Sequence, residues 1–376
     1  MKNSVSERPQ PALSSKAPTI HDVAAALGMH KSSVSLAFSG KGNLSAATRA
    51  RIIAVANELG YEPHPLAQRL ANGVNNSMVC LCSGGLDVGL MTEKILLIQR
   101  ELSGAGLEVP IYTFPEVART GSPSQAAQIK ALCRQQPRAI VCAQVLDPLV
   151  FGELERYQRE GGIVVSYDMP VPLDCDQVVF DREDNAYRGA RLLIEKGHRR
   201  IGIALSNIQQ SADSVSIPQS LRVHGFRRAL CEAGLPIRDE WVFQNATYEK
   251  GGAEMARHFL EASERPTGLC IVNDYVALSF MVEVMRAGVR IPHDVSLVGH
   301  DDQPVASYCP VPLTSVSQPA TQISHAVVEM LLERIGGSQV PPRTVTIRGE
   351  LTERDSVTAP PLNGYGNVSR EQSPSE

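Results

Sequence analysis

The chain has 376 residues, 43% of them apolar and 20% charged, a length that suits two or three domains and a balance that excludes a disordered or fibrous protein. No apolar run approaches the roughly 20 residues of a membrane helix, and the Ser/Pro/Lys-rich start has no hydrophobic signal segment, so a cytoplasmic protein without membrane contact is expected. The formal charge of −4 is an average of unlike parts: residues 1–77 hold eight Lys/Arg against four Asp/Glu, and the remainder is acidic. None of the eight cysteines forms a C-x-x-C pair. Cys80, Cys82, Cys142 and Cys270 lie in apolar runs and read as reduced core thiols, so neither a metal nor another cofactor is expected.

Residues 1–17 lack periodicity and read as a flexible leader. Thr19 then precedes Ile20, Val23, Ala24 and Leu27, spaced as one helix face, with Thr19 and Asp22 forming a loose capping box and Gly28 ending the helix. A second helix is expected over 31–39. It turns Val34, Ala37 and Phe38 inward and leaves Lys31, Ser32, Ser35 and Leu36 on other faces, and Gly40 and Gly42 break it. Ser45 caps a third helix with Ile52, Val55, Ala56 and Leu59 on one face, stopped by Gly60. Two short helices around a glycine turn, braced by a third, make a helix-turn-helix whose second helix fits a DNA major groove. Pro65–Ala71 reads as a two-turn helix too short to persist alone in water. Its apolar Leu66, Ala67 and Leu70 suit a second copy of the chain and a wedge into a minor groove.

From residue 78 short β-branched runs alternate with amphipathic stretches. Strands are expected at Met78–Cys82, Glu108–Thr113, Arg138–Ala143, Gly162–Tyr167, Ile201–Leu205, Gly268–Val272 and Val295–Gly299. Helices are expected at Thr92–Ser103, Gln125–Arg134, Asp184–Lys196 and Asn273–Ala287. This alternation predicts an α/β body of two doubly wound parallel-sheet lobes with a ligand cleft at the strand ends. Asp168, Asn273-Asp274 and Asp301-Asp302 fall at those ends. Asp274 and Asp302 read as caps of the following helices. Residues 358–376 read as a flexible tail. No phosphate-binding loop, nucleophile elbow, zinc-protease motif or complete dinucleotide fingerprint occurs, so a binder rather than an enzyme is expected.

The run Thr19-Ile20-His21-Asp22-Val23-Ala24…Gly28…Val34-Ser35…Gly40…Ser45…Thr48-Arg49…Leu59-Gly60-Tyr61…Pro63…Ala67…Leu70 closely resembles the headpiece and hinge helix of the lactose/galactose repressor (LacI/GalR) family. The resemblance, shared with periplasmic sugar-binding proteins, continues to about residue 357. It implies a helix-turn-helix headpiece at 18–62, a hinge helix and linker at 63–74, and a two-lobed effector-binding and dimerisation domain at 75–357 with a periplasmic-binding-protein-like core. The implied DNA contacts are Lys31, Ser32 and Leu36 on base edges, with Lys31 on a guanine or a phosphate. Thr19, Ser35, Ser45 and Thr48 would contact phosphates, and His64, Ala67 and Leu70 the minor groove. Leu36 stands where the family commonly has Arg, so the operator should differ there.

The resemblance also implies an effector site of Asp168, Arg222, Asn273, Asp301 and Gln318, with Arg222 in an R-x-x-G-[FW] helix start. Asp87 and Thr247 or Tyr248 are further cleft candidates. The implied function is a homodimeric regulator, in the first instance a repressor of sugar or related carbon-source genes, on a near-palindromic operator. Ligand in the cleft would form or melt the hinge helices. A non-sugar effector (nucleobase, sugar acid or sugar phosphate), an activating role, and a small-molecule binder without a DNA role remain the alternatives.

Overall fold

The computed structural model describes residues 18–39, 44–61, 75–84, 89–114, 124–145, 147–205, 217–244 and 248–361. The leader, the hinge with His64, Ala67 and Leu70, the tail from residue 362, Asp87 and Thr247 lie outside them. The first residues of the expected tail are held instead, Thr358 N–H donating to Ser296 Oγ at 3.1 Å and its carbonyl accepting from His198 Nε2 at 2.8 Å. Two compact units separate, residues 1–77 with 135–138, and the rest.

In the first unit, α1 (Ile20–Leu27), α2 (Lys31–Ser39) and α3 (Ala46–Glu58) surround a small core. Asp22 Oδ2 accepts from the Thr19 N–H and hydroxyl, both at 2.7 Å. Gly28 ends α1 at φ +62°, where only glycine sits without strain, and the Met29 N–H reaches back to Ala24 O at 3.0 Å. Ser45 caps α3 through a 3.1 Å bond from Thr48 N–H. Val23, Ala24, Val34, Ala37, Ile52 and Ala56 form the core, and Phe38 meets Tyr61 edge-on at 5.8 Å. Leu59 departs from its expected stripe. The helix stops at Glu58, so Leu59 leaves the 3.6-residue period and stands 41% exposed.

The second unit holds two six-stranded sheets. The first lobe runs β1 (Asn75–Ser83), α4 (Leu90–Gly104), β2 (Ile111–Thr113), α5 (Gln125–Cys133), β3 (Pro137–Ala143), α6 (Pro148–Arg159), β4 (Ile163–Asp168) and β5 (Asp176–Phe180). The second runs α7 (Arg182–Glu195), β6 (Ile201–Ala204), α8 (Ile217–Glu232), β7 (Val242–Phe243), α9 (Tyr248–Glu261), β8 (Gly268–Ile271), α10 (Asp274–Arg286), β9 (Ser296–Asp301), α11 (Val305–Tyr308) and β10 (Thr314–Ser317). The chain then returns through α12 (Ala320–Ile335) and β11 (Thr344–Ile347) to the first lobe, and ends on β12 (Leu351–Thr352) in the second. Strand order is β11-β5-β4-β3-β1-β2 in one sheet and β12-β10-β9-β8-β6-β7 in the other, with β12 antiparallel to β10. The expected doubly wound architecture is therefore present.

Local chemistry explains where element bounds differ from expectation. Pro110 has no N–H to donate, so the run expected at Glu108–Thr113 splits into an isolated Met78–Glu108 bridge and β2. The Pro110 carbonyl still accepts from Leu81 N–H at 3.0 Å. The lobes are crossed three times, and the crossings are stitched together. Asn185 Nδ2 donates to Val316 O and Ser317 O, both at 3.2 Å. Glu350 N–H reaches Ser317 Oγ at 2.9 Å. A Cβ on Gly349 would stand 2.0 Å from Ser317 O, so only glycine fits there.

Apolar side chains pack both faces of each sheet. Cys80, Cys82, Cys142 and Cys270 are among them as free thiols, and burial raises the Cys80 thiol to about 12. Among the described residues no helix is long and apolar enough to cross a membrane.

Candidate nucleic-acid interface and ligand cleft

On α2 the 3.6-residue period separates two faces. Val34 and Ala37 are buried, while Lys31, Ser32 and Leu36 are exposed, Leu36 by 38%. Ser35 is half-buried beside them. A lysine, a hydroxyl and a leucine thus share one narrow surface that can enter a major groove. Thr19 and Ser45 are exposed at the starts of α1 and α3, with Thr48 half-buried. Their hydroxyls bond locally, Thr19 to Asp22 and Ser45 to Thr48, each at 2.7 Å.

In the second unit the chain crossings and strand ends gather charge. Asp168 is the last residue of β4, with no exposed surface and φ +80°. Its Oδ1 accepts from Lys94 Nζ on α4 and from Gln318 Nε2 at 2.8 Å; its Oδ2 accepts from Arg182 Nη2 at 2.6 Å. Arg182 Nη1 also donates to the Asp168 carbonyl. Burial alone would raise the Asp168 carboxyl, but the Arg182 and Lys94 charges hold it well below the usual carboxylate range. Asp168 and Gln318, both expected at the effector, are thus bonded to each other and buried at the junction of lobe and crossings.

Arg222 sits six residues into α8 rather than at its start, because the helix begins at Ile217-Pro218. Arg222 is only 8% exposed and its buried Nε has no hydrogen-bond partner among the described residues. Burial and the neighbouring Arg182 charge pull it down to about 10, against the pull of Asp301 and Asp168. Asp301 ends β9 at φ +99° and is half-buried. Burial raises its carboxyl, opposed by Arg222, Lys94 and Arg182. These five charged groups form one cluster.

His300 is fully buried beneath that cluster. Its Nδ1 must carry the proton, since it bonds the Ile271 carbonyl at 3.1 Å, and its Nε2 has no partner. Burial and the Arg222 charge pull it down to about 4, so it is neutral at pH 7.

Asn273 caps α10, its Oδ1 accepting from Tyr275 N–H at 3.2 Å and Val276 N–H at 3.4 Å. Its Nδ2 donors remain for another partner. Asp274 and Asp302, expected to cap helices, are both taken by other partners instead. Asp274 accepts from Ser315 Oγ and Gln303 N–H, both at 2.7 Å, and burial pushes its carboxyl well up. Asp302 pairs with Arg354 at 2.7 Å and accepts from Thr352 Oγ1 at 2.8 Å. Their partners lie far along the chain, which local capping logic does not reach. An open cavity of about 440 Å³ reaches Asp301 and Gln318 from the side of Leu90, Glu93 and Pro304.

Sequence reasoning missed Lys94 and Arg182. The signal for Lys94 was its position in the stripe Met91, Ile95, Ile98 and Leu102, where a lysine must be buried and hence paired. Arg182 opens α7, an end whose dipole disfavours a cation, so an arginine there needs an acidic partner.

A helix-turn-helix head followed by a two-lobed, doubly wound clamp defines a DNA-binding regulator with a ligand-binding domain. Residues 19–64 match the family described as bacterial regulatory proteins, lacI family. Residues 190–357 match the periplasmic binding protein-like domain. A curated relative, the HTH-type transcriptional repressor PurR of Yersinia pestis bv. Antiqua (strain Antiqua), is 26% identical over 349 residues, covering 92% of this chain and 99% of the relative. Among solved structures, the Lac repressor dimer bound to operator and the anti-inducer ONPF aligns with 92% of this chain and 100% of its own, at 22% identity and a TM-score of 0.73. The transcriptional regulator CelR–cellobiose complex aligns with 90% and 100%, at 23% identity and a TM-score of 0.65. The chain thus carries a lacI-family DNA-binding domain ahead of a periplasmic binding protein-like domain, and it is similar along most of its length to transcriptional repressors built that way.

Proposed function

We propose that this regulator represses its target genes from a near-palindromic operator that it binds as a cytoplasmic homodimer, and that a sugar or sugar-like effector in the cleft sets its operator affinity. The observation that carries the DNA half is the exposed face of α2, where Lys31, Ser32 and Leu36 stand opposite the buried Val34 and Ala37. Lys31, Ser32 and Leu36 read base edges. Leu36 offers only an apolar contact, such as to a thymine methyl, in place of a bidentate guanine contact. Thr19, Ser35, Ser45 and Thr48 hold phosphates and set register, and His64, Ala67 and Leu70 act in the minor groove. In the cleft, Arg222, Asn273 and Asp301 contact the effector, and Asp168 and Gln318 shape its floor. The effector shifts operator affinity by its differential affinity for the two states of the protein.

Binding-site selection from random duplex DNA with the full chain tests this reading. A two-fold symmetric site is expected, and Leu36→Arg should move the preferred base pair at one position of each half-site to one bearing guanine. Leu70→Ala should weaken binding to the selected site and reduce its bend. A chain that enriches no symmetric site overturns the proposal.

A further inference from the structure

The charge cluster of the second unit is unbalanced in a way that names an effector chemistry. Three cations, Lys94, Arg182 and Arg222, are 1%, 5% and 8% exposed, and they face two carboxylates, Asp168 and Asp301. Asp168 is fully used, since Lys94, Arg182 and Gln318 occupy its two oxygens. Among the described residues no carboxylate lies within ion-pair distance of Arg222. The Nε atoms of Arg182 and Arg222 are both buried without a hydrogen-bond partner. A buried guanidinium with an orphaned donor is costly unless a partner arrives. His300 adds no negative charge beneath it, since its unpartnered Nε2 is a neutral acceptor.

We propose that the effector carries an anionic group, a carboxylate or a phosphate ester, held by the buried Nε–H donors of Arg182 and Arg222, with its hydroxyl-bearing part on Asp301 and Asn273. The anion balances the excess cation, and arginine forks suit both groups because each presents two or more oxygens in a fixed geometry. Asp301 and the Asn273 amide then supply an acceptor and donors for neutral hydroxyls. This inference rests on the effector reading above and narrows it to sugar acids or sugar phosphates.

The test is calorimetric titration of the full chain, at matched ionic strength, with D-gluconate, D-glucuronate, D-glucose 6-phosphate, inorganic phosphate and D-glucose. At least one organic anion is expected to bind tenfold or more tightly than D-glucose, and whether it is an acid or an ester identifies the source of the charge. Arg222→Gln should weaken that anion on the order of 10- to 100-fold, and Arg222→Lys should recover part of the loss. No carboxylate relies on Arg222 for an ion pair, so the melting temperature of the ligand-free variant checks that it folds. D-glucose binding as tightly as the anions, no response to any organic anion, or binding of inorganic phosphate alone that survives Arg222→Gln each overturns the proposal. Operator affinity on the same samples separates the two readings. A neutral sugar that shifts it removes the anion but keeps the effector, whereas failure to select an operator removes the regulator reading whatever the ligand does.

Discussion

Asp168 shows how a single carboxylate organises the cleft. A fully buried aspartate would ordinarily be driven neutral, and here two buried cations on separate elements hold it ionised. Asp168→Asn leaves Lys94 and Arg182 buried without their counter-charge, which costs about 3–5 kcal/mol. Urea unfolding at pH 7 measures it, and a loss below about 1 kcal/mol would mean that the triad adds nothing net. The sign with pH follows from the lowered carboxyl. Its contribution is fully present above the unfolded value near ~3.9 and is lost as pH falls through the lower folded value. Wild type and Asp168→Asn should therefore converge only on the acid side. Asp168 is marked in the sequence because it ends an apolar strand, but nothing local shows that both of its carboxylate oxygens are already taken. Strand-end position follows from local pattern, whereas the partners Lys94, Arg182 and Gln318 are 74, 14 and 150 residues away.

Among elements, the pair α7 and α8 fixes where Arg222 stands. A Cβ on Gly225 would lie 1.9 Å from the Glu183 carbonyl oxygen, so the two helices touch backbone to backbone there. Around that contact Arg228 stacks over Tyr187 at 4.3 Å, and Tyr187 donates to Glu232 at 2.7 Å. Arg222 and Gly225 are three residues apart, on one face of α8. Gly225→Ala must push α8 away from α7, with an overpacking cost of about 1–3 kcal/mol and displacement of Arg222. The expected result is a lower melting temperature together with weaker effector binding, and an unchanged melt would show that the approach is not tight. The alternation of strands and helices was legible because the parallel strands are buried on both faces and read as apolar runs. Of the unread strands, β7 and β12 are only two residues long, and β11 lies at a partly exposed edge with few apolar residues. The start of α8 was also missed, although Pro218 in its first turn was the available mark.

For the whole molecule, the opposition between a basic head and an acidic body has a measurable consequence for operator binding. The described head carries Lys31, Arg49 and Arg51 against Asp22 and Glu58, a small excess for a DNA-binding surface. Two protomers on one operator double these cations to six; with each on a phosphate, affinity should fall with salt at a log–log slope of roughly −5, or about −4 where Lys31 meets a base instead. On the proposed reading, sequence discrimination then comes from the base edges met by α2 and from the hinge. Lys31 can serve either purpose, and salt dependence separates them. A contact to guanine O6 and N7 neutralises no phosphate, so Lys31→Ala would cost about 1–3 kcal/mol on the selected operator, relax the preference at one base pair and leave the slope unchanged. A phosphate contact would instead weaken all sequences alike and flatten the dimer's slope by about 2, one counterion for each protomer. Fluorescence anisotropy from 50 to 200 mM salt, with wild type and Lys31→Ala on the selected operator and on a scrambled duplex, distinguishes the two. The exposed position of Lys31 at the first residue of α2, where recognition helices meet base edges, favours the guanine contact. The expected outcome is therefore an unchanged slope with a smaller gap between operator and scrambled DNA.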